Sequence, residues 1–170
     1  MIKITAMLFI ALGFSLFGFY AASVYEKKVE ILDSVVMMLS VMQTQLSYSC
    51  IPLASLLARL EENRKINGLG FVSACKKETE NGEPFPESWR KCIENEKELC
   101  RLIPEALPYL FQIGEDLGST DLEGQLSCCK YYEGIFRREL AEKEAQSGKY
   151  SKLFPTLGVT LGITAVILII

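Results

Sequence analysis

The sequence predicts an all-α protein: a small cytoplasmic helical bundle flanked by N-terminal and C-terminal transmembrane helices. Three observations support this fold class. The chain carries no charge from Ile4 to Tyr25 or from Leu153 to Ile170. Apolar residues between these segments recur every three or four positions, as on one helix face. No run of alternating β-branched residues indicates a strand. We therefore predict a first transmembrane helix at 4–25, a bundle domain at 26–152 and a second transmembrane helix at 153–170.

The N-terminal segment 4–25 has twenty-two residues, of which seventeen are apolar. A cleaved signal peptide is the alternative, with Ala21-Ala22-Ser23 before the cleavage site, but its apolar core would be only about 7–15 residues long. The length of the segment favours an uncleaved span. Gly18 and Ala22 have the spacing at which small residues let two membrane helices pack closely, so both are packing candidates.

The bundle domain begins with two helices. The first runs from Glu26 to about Ser49 and continues out of the first span. Pro52 ends it and suits the first turn of the second helix, which closes near Asn67-Gly68 to form a hairpin. The apolar faces are Val29, Leu32, Val35, Val36, Leu39, Met42 and Leu46 on the first helix, and Leu53, Leu56, Leu57 and Leu60 on the second.

Three further helices follow. The third begins after Gly70 and stops at Asn81-Gly82, and the two prolines of Glu83-Pro84-Phe85-Pro86 predict a stiff connector. The fourth ends in a charged, solvent-facing stretch from Glu94 to Glu98. The fifth starts at Pro104 or, because Pro108 disfavours a helix interior, somewhat later, and Gly118 is its left-handed stop. The inner faces are Phe71, Val72 and Cys75, then Trp89, Cys92 and Ile93, then Leu107, Leu110, Phe111 and Leu117.

The last helix of the bundle is long and leads directly into the second span. Thr120 and Glu123 have the spacing of a capping box at its start. No proline interrupts it before Pro155. Its inner face is Leu122, Leu126, Cys129, Tyr132, Phe136 and Leu140.

The C-terminal segment 153–170 is an eighteen-residue helix of about 27 Å, close to the roughly 30 Å thickness of a bilayer core. A buried core helix is the alternative, but such a helix usually carries a polar stripe. Gly158 and Gly162 form a G-x-x-x-G face for packing on another membrane helix. The same positions are equally compatible with a plain lipid-facing surface.

The charge distribution sets the orientation. All charges except Lys3 lie between Glu26 and Lys152, where 17 basic and 21 acidic groups give −4. This balance leaves no basic face for nucleic acid. Arg137, Arg138, Lys143, Lys149 and Lys152 precede the second span and nothing charged follows it, which favours a cytoplasmic bundle.

The six cysteines are Cys50, Cys75, Cys92, Cys100, Cys128 and Cys129, and they include no C-x-x-C. Without a histidine, a structural zinc site would need four thiolates from separate helices, so we predict free, mostly packed thiols and no metal or cofactor. A secreted, disulfide-bonded protein with a cleaved leader remains the alternative.

An enzyme is not expected. The chain has no histidine, the commonest general base near neutral pH, and lacks a phosphate-binding loop and a nucleophile elbow. Four carboxylates, Glu115, Asp116, Asp121 and Glu123, cluster around Gly118. They could bind a cation or act as acid and base, but acids in the first turn of a helix are favoured by its dipole alone. If a partner docks on this acidic turn, Glu115, Asp116 and Asp121 would meet basic residues.

At this point the residues resemble a known family, the stage III sporulation protein AB family of endospore-forming bacteria. The most specific match is the block Gly114-Glu115-Asp116-Leu117-Gly118-Ser119-Thr120-Asp121 with Gln125, which is similar to that family's G-E-x-L-G-x-x-D-x-x-x-Q pattern. Weaker matches are Gly18-Phe19, Met42 to Leu53 with Tyr48 and Pro52, Gly82, Trp89, Lys149-Tyr150 and Leu157-Gly158. The chain departs from the family at Ser49-Cys50-Ile51-Pro52, which stands in place of a G-H-T-P type turn.

The resemblance implies a non-enzymatic membrane platform in the assembly built between mother cell and forespore, located in the mother-cell membrane that faces the forespore. It implies kinship with the inner-membrane platform proteins of type II secretion and type IV pilus machines. The expected partners are the stage III sporulation protein AA ATPase, a hexameric cytoplasmic enzyme, and sister stage III membrane proteins. We take Glu115, Asp116, Asp121 and Gln125 as partner-contact candidates. Two alternatives stay open: a capped turn needed only for folding, and a membrane-anchored scaffold or signalling protein unrelated to secretion.

Overall fold

The computed structural model describes residues 2–49 and 53–169, and every regular element in these two ranges is a helix. The all-α prediction is therefore confirmed for the described chain. The elements are α1 (Ile2–Ser49), α2 (Leu53–Glu61), a short 3-10 helix (Ile66–Gly68), α3 (Gly70–Glu80), α4 (Phe85–Asn95), α5 (Lys97–Leu102), α6 (Leu107–Ser119) and α7 (Leu122–Ile169). Cys50 and Pro52, assigned to the hairpin turn, lie outside the described residues.

Contacts divide the chain into two units. Unit 1 comprises Met1–Val29 and Ala141–Ile170, and unit 2 comprises Glu30–Leu140. The two long helices α1 and α7 each contribute residues to both units. The predicted segment boundaries at 25/26 and 152/153 concern the membrane, which contacts alone do not locate, and they remain a prediction.

Unit 2 has a closed apolar core. The predicted face of the helix after Glu30 is buried from Leu32 onward, and Met38 joins it. Among the short helices, α3 packs on both α2 and α4, and α4 packs on α6. The largest fully buried side chains are Trp89, Phe71, Phe136, Leu32, Met38, Leu39, Met42, Leu46, Leu56, Leu57, Leu60 and Ile66.

The predicted third and fourth helices are present, with two corrections at their ends. Gly82 adopts φ 94°, the left-handed conformation expected of the stop after α3. The connector is shorter than predicted, because α4 already begins at Phe85 and Pro86 lies in its first turn. A proline is tolerated there, where its missing N–H would have no helical partner.

The fourth helix is shorter than predicted, although most of the charged stretch from Glu94 to Glu98 is exposed as expected. The helix ends at Asn95, and the separate helix α5 follows it. Between them the half-buried carboxylate of Glu96 accepts hydrogen bonds from the backbone N–H of Gly70 at 3.2 Å and of Phe71 at 2.6 Å. These are donors at the start of α3, which have no partner within their own helix. Glu96 therefore caps a helix that lies 26 residues before it.

The second helix ends earlier than predicted, at Glu61 rather than near Asn67-Gly68. Asn63 is the physical reason. Its side-chain Oδ1 accepts the backbone N–H of Lys65 at 3.1 Å, and this local bond competes with the helix. The chain then forms the 3-10 turn at Ile66–Gly68.

One described helix satisfies the length and composition of a membrane span, over Leu16–Tyr48 of α1. In its most apolar window 44% of the residues are buried inside the protein, so the core helix of a soluble protein passes the same test. Within the described residues, the part of the chain assigned to the second predicted span, at 153–170, does not meet the same criteria.

Candidate functional site

The turn between α6 and α7 holds all four partner-contact candidates. We call residues 114–125 the turn block. Its residues come from the end of α6, the extended residue Thr120 and the start of α7. The positions of these side chains decide which of them a partner can reach.

Gly114, the first residue of the turn block, lies against Trp89 of α4. A Cβ at position 114 would stand 2.3 Å from Cδ1 of Trp89, which is far inside van der Waals contact. The indole is fully buried, and its Nε1 donates a hydrogen bond to the carbonyl of Leu110 at 2.7 Å. Gly114 is therefore the point at which α6 approaches α4 closely enough to enclose the tryptophan.

Asp116 is half-buried and tied to α7. Its Oδ2 accepts a hydrogen bond from the hydroxyl of Tyr132 at 3.0 Å, and its Oδ1 accepts one from Gln112 at 2.9 Å. Burial, with the bond to Asp116 adding to it, raises the pKa of Tyr132 above its ordinary value. The phenol thus stays a neutral donor, and the Asp116 carboxylate links α6 to α7.

Asp121 and Gln125 close the turn. Asp121 directly precedes α7, and its Oδ1 accepts the backbone N–H of Gly124 at 3.0 Å. The side-chain amide of Gln125 donates to the carbonyl of Leu117 at 3.0 Å and to that of Thr120 at 3.2 Å. Asp121 thus binds an N–H group at the start of α7. Gln125 binds carbonyl groups at and just beyond the end of α6.

Two predictions about this turn are wrong. Thr120 does not cap α7, because its hydroxyl donates back to the carbonyl of Asp116 at 2.7 Å, and Asp121 takes the capping position. Gly118 is not a left-handed stop, since α6 continues through it to Ser119. The carbonyl groups at this helix end bind side chains of the turn block instead, so a left-handed glycine is not needed.

Glu115 is the candidate most available to a partner. Its carboxylate pairs with Arg90 at 3.1 Å, and both side chains are 47% exposed. The guanidinium of Arg90 also lies over the ring of Phe111, 5.0 Å from its centroid. Asp121 and Glu123 are exposed as well. The structure thus brings the four candidates into one turn, but three of them serve the turn itself and Glu115 faces solvent.

The sequence did not identify the partners of these residues. Arg90, Gln112 and Tyr132 were not assigned to the turn, and Trp89 was predicted only as a core residue. Trp89 and Arg90 come from α4, and Tyr132 lies further along α7, beyond the turn block. The one signal available was the four-residue spacing of Gln112 and Asp116, which predicts a hydrogen bond on one helix face.

The four candidates for membrane-helix packing lie in unit 1, and all are buried: Gly18, Ala22, Gly158 and Gly162. A Cβ at Gly18 would stand 2.5 Å from the carbonyl oxygen of Phe154 and 3.3 Å from Cα of Pro155. The two helices of unit 1 therefore meet backbone to backbone at Gly18.

The described thiols are wholly or partly buried. Five cysteines are free: Cys75, Cys92, Cys100, Cys128 and Cys129. Burial is the main cause that raises the pKa of Cys75, Cys128 and Cys129 to about 12, so these thiols stay protonated at neutral pH. Among the described residues, no group of three or more Cys, Asp or Glu side chains is placed to hold a metal ion.

Comparison with known proteins gives one match. A family model described as stage III sporulation protein AB matches residues 3–170. No curated protein and no solved structure matches the chain.

Proposed function

The chain belongs to the stage III sporulation protein AB family, and from this membership we propose that it is a non-enzymatic membrane platform in the assembly between mother cell and forespore. Unit 1 is its membrane anchor in the mother-cell membrane facing the forespore. Unit 2 is a rigid cytoplasmic body that engages the stage III sporulation protein AA ATPase, with sister stage III membrane proteins beside it.

The exposed apolar surface of unit 1 carries this proposal. On α1, Phe17 is 71% and Phe19 59% exposed, and on α7, Leu157 is 52% and Leu161 54% exposed. In water each such side chain forgoes roughly 1.5–3 kcal/mol of burial free energy. In lipid the same surface is solvated by acyl chains, so unit 1 suits a bilayer.

The lengths of the two helices of unit 1 can also be compared with the thickness of a bilayer. Counting 1.5 Å per residue, α1 extends about 32 Å from Ile4 to Tyr25, and α7 extends about 24 Å from Leu153 to Ile169. The hydrocarbon core is about 30 Å thick. The first length matches a span at 4–25 and the second suits a shorter span at 153–170, although among the described residues only Leu16–Tyr48 meets the criteria of length and composition.

The basic residues on the bundle side support the cytoplasmic orientation, because Lys and Arg accumulate on the cytoplasmic side of membrane helices. Arg137 and Arg138 are exposed at the end of unit 2, and Lys149 is exposed just before the second span. The charged unit then faces the compartment that contains the ATPase.

We place the ATPase contact at the exposed carboxylates Glu115 and Glu123. An exposed ion pair such as that of Glu115 with Arg90 contributes at most about 1 kcal/mol, so Glu115 can exchange its partner at small cost. The turn that presents these two carboxylates is held by Asp116, Asp121 and Gln125. These three residues therefore contribute to the contact indirectly, by keeping the turn folded.

Membrane anchoring is tested by extraction and labelling. We expect the full chain to stay with the membrane fraction after alkaline washing. For orientation, Glu83→Cys in a Cys100→Ser background places a thiol beside the exposed turn at Gly82 while the other described thiols remain wholly or partly buried. An impermeant maleimide should label it only in inside-out vesicles. Labelling of this thiol in intact cells would indicate the opposite orientation. Release of the chain from the membrane by alkali would refute the membrane anchor.

ATPase docking is tested with variants that leave the turn folded. Glu115→Gln with Glu123→Gln should reduce recovery of the purified ATPase, and raising the salt concentration should reduce recovery by the wild-type chain. The matched control is Glu94→Gln with Glu105→Gln, which removes two exposed carboxylates outside the turn block. Equal recovery by both pairs would contradict the contact site. If the wild-type chain is bound to the membrane but recovers no ATPase, the result would favour a scaffold protein unrelated to secretion.

A further inference from the structure

Three aromatic rings of unit 1 form a cluster where its two helices meet. The ring centroids of Tyr25 and Tyr150 are 4.8 Å apart, those of Tyr25 and Phe154 are 5.9 Å apart, and those of Tyr150 and Phe154 are 5.3 Å apart. Each ring therefore contacts the other two. We call these three residues the aromatic collar.

Two lysines lie against the collar, one from each helix. The ammonium group of Lys28 is 5.9 Å from the ring centroid of Tyr25, and that of Lys149 is 5.9 Å from the ring centroid of Tyr150. Lys149 is exposed and Lys28 is half-exposed. The rings attract the two cations without neutralising them, so both charges remain available to an anion.

The collar marks the level at which both helices change from charged to apolar. On α1 the residues from Ile4 to Tyr25 carry no charge, and on α7 the residues from Leu153 onward carry none. Tyr25, the last residue of the uncharged stretch of α1, contacts Tyr150 and Phe154, which lie on either side of the change on α7. Tyrosine is enriched at this depth of membrane proteins, at the boundary between hydrocarbon and headgroups.

The charge at this level is strongly positive. Residues 25–29 and 149–153 together contain four lysines and one glutamate, 4 − 1 = +3, whereas the whole chain has a net charge of −3. The positive charge is thus concentrated where phospholipid phosphates would lie.

We infer that the aromatic collar with Lys28 and Lys149 is a binding site for the headgroups of anionic phospholipids at the cytoplasmic membrane surface. The rings lie at the hydrocarbon boundary, and the two ammonium groups reach the phosphates just outside it. The inference rests on the proposed membrane anchoring of unit 1 and adds a lipid class to it. Each lysine should favour an anionic over a zwitterionic lipid by on the order of fivefold.

The test is lipid selectivity of the full chain reconstituted in vesicles. Spin-labelled phosphatidylglycerol and phosphatidylcholine are added in turn, and electron paramagnetic resonance gives their relative association constant with the protein. We expect a clear preference of the wild-type chain for phosphatidylglycerol, which declines as salt screens the charges. Lys28→Gln with Lys149→Gln should lower the preference by about 25-fold, on the order of fivefold for each lysine.

Lys77→Gln with Lys130→Gln is the matched control, because it removes two exposed lysines of unit 2 and changes the net charge equally. This control should keep the preference. A wild-type chain that enters vesicles without preferring phosphatidylglycerol would overturn the inference, as would equal effects of the two lysine pairs. A chain that fails to enter vesicles at all would instead refute the membrane anchor.

Discussion

Replacing Gly114 with alanine tests the closest contact of unit 2. The added Cβ would lie 2.3 Å from Cδ1 and 2.7 Å from Cγ of Trp89. Ordinary carbon contacts begin at about 3.5 Å, so the side chain and α6 must separate by about 1 Å. Trp89 cannot move freely, because Phe71 packs on its ring edge-to-face with centroids 5.0 Å apart and Leu110 accepts its N–H.

The expected cost follows from these contacts. Overpacking a well-packed core costs about 1–3 kcal/mol, and weakening the buried indole hydrogen bond costs about 1 kcal/mol more. Alanine offsets about 1 kcal/mol of this through its higher helix propensity. We therefore expect Gly114→Ala to lower the free energy of unfolding by about 1–3 kcal/mol. With a urea dependence of about 1–3 kcal/mol per molar, the unfolding midpoint should fall by about 1 M.

Trp89 is the only tryptophan of the chain, so its fluorescence reports this contact directly during urea unfolding of the full chain in detergent. Gly134→Ala is the matched control, since it lies in helix α7 and a Cβ there meets nothing within 4 Å. This control should be neutral or stabilising by up to about 1 kcal/mol. An equal effect of both substitutions on the midpoint, or an unchanged Trp89 emission in Gly114→Ala, would refute the argument.

Three further predictions concern the remaining contacts of unit 2. Glu96→Ala removes the acceptor of two N–H groups at the start of α3 and should destabilise the protein by about 1–3 kcal/mol, seen as a lower urea midpoint; an unchanged midpoint would mean that water replaces the cap. The hydrogen bond from Lys76 lowers the pKa of Glu61 below its usual 4.5, so the pair stabilises above that pH and its contribution declines as pH falls through the lowered value. The midpoint difference between wild type and Glu61→Gln should accordingly be present at neutral pH and shrink in acid, and a difference that grows in acid would show the opposite sign. Burial raises the pKa of Cys75 to about 12, so maleimide should modify Cys100 first and Cys75 only after unfolding; early modification of Cys75 would show that the core opens locally.

The fold was predictable where the signal is local. Apolar residues at helical spacing identified the core face of α1 and the inner face of α4, and Gly82 identified the end of α3. The prediction failed where a distant group decides the structure. The charged stretch after Asn95 gave no sign that Glu96 caps α3, because the capped amides lie 25 and 26 residues away. The sequence alone therefore predicts one continuous helix end from Glu94 to Glu98, whereas α4 stops at Asn95.

The candidate site shows the same division. Composition identified the turn block as acidic, and the capping preference of its residues was visible in the sequence. The partners of Glu115 and Asp116 were not visible, because Arg90 lies on α4 and Tyr132 lies well beyond the block on α7. Charge clustering therefore grouped residues that lie in one turn, but it assigned a single role to residues that have different hydrogen-bond partners.

This division of roles determines how the docking proposal can be tested. Replacing Glu115, Asp116 and Asp121 together by alanine would remove the link to Tyr132 and the cap at Gly124 along with the negative charge. Losing those buried or capping bonds costs about 1–2 kcal/mol each, so the turn would loosen and any partner would be lost for a structural reason. Replacing Glu115 and Glu123 should leave the turn folded, unlike replacing Asp116 and Asp121. The only described partner of Glu115 is an exposed arginine, and Glu123 is exposed in the first turn of α7. A loss of ATPase recovery that follows these two carboxylates, at an unchanged urea midpoint, therefore reports recognition rather than folding.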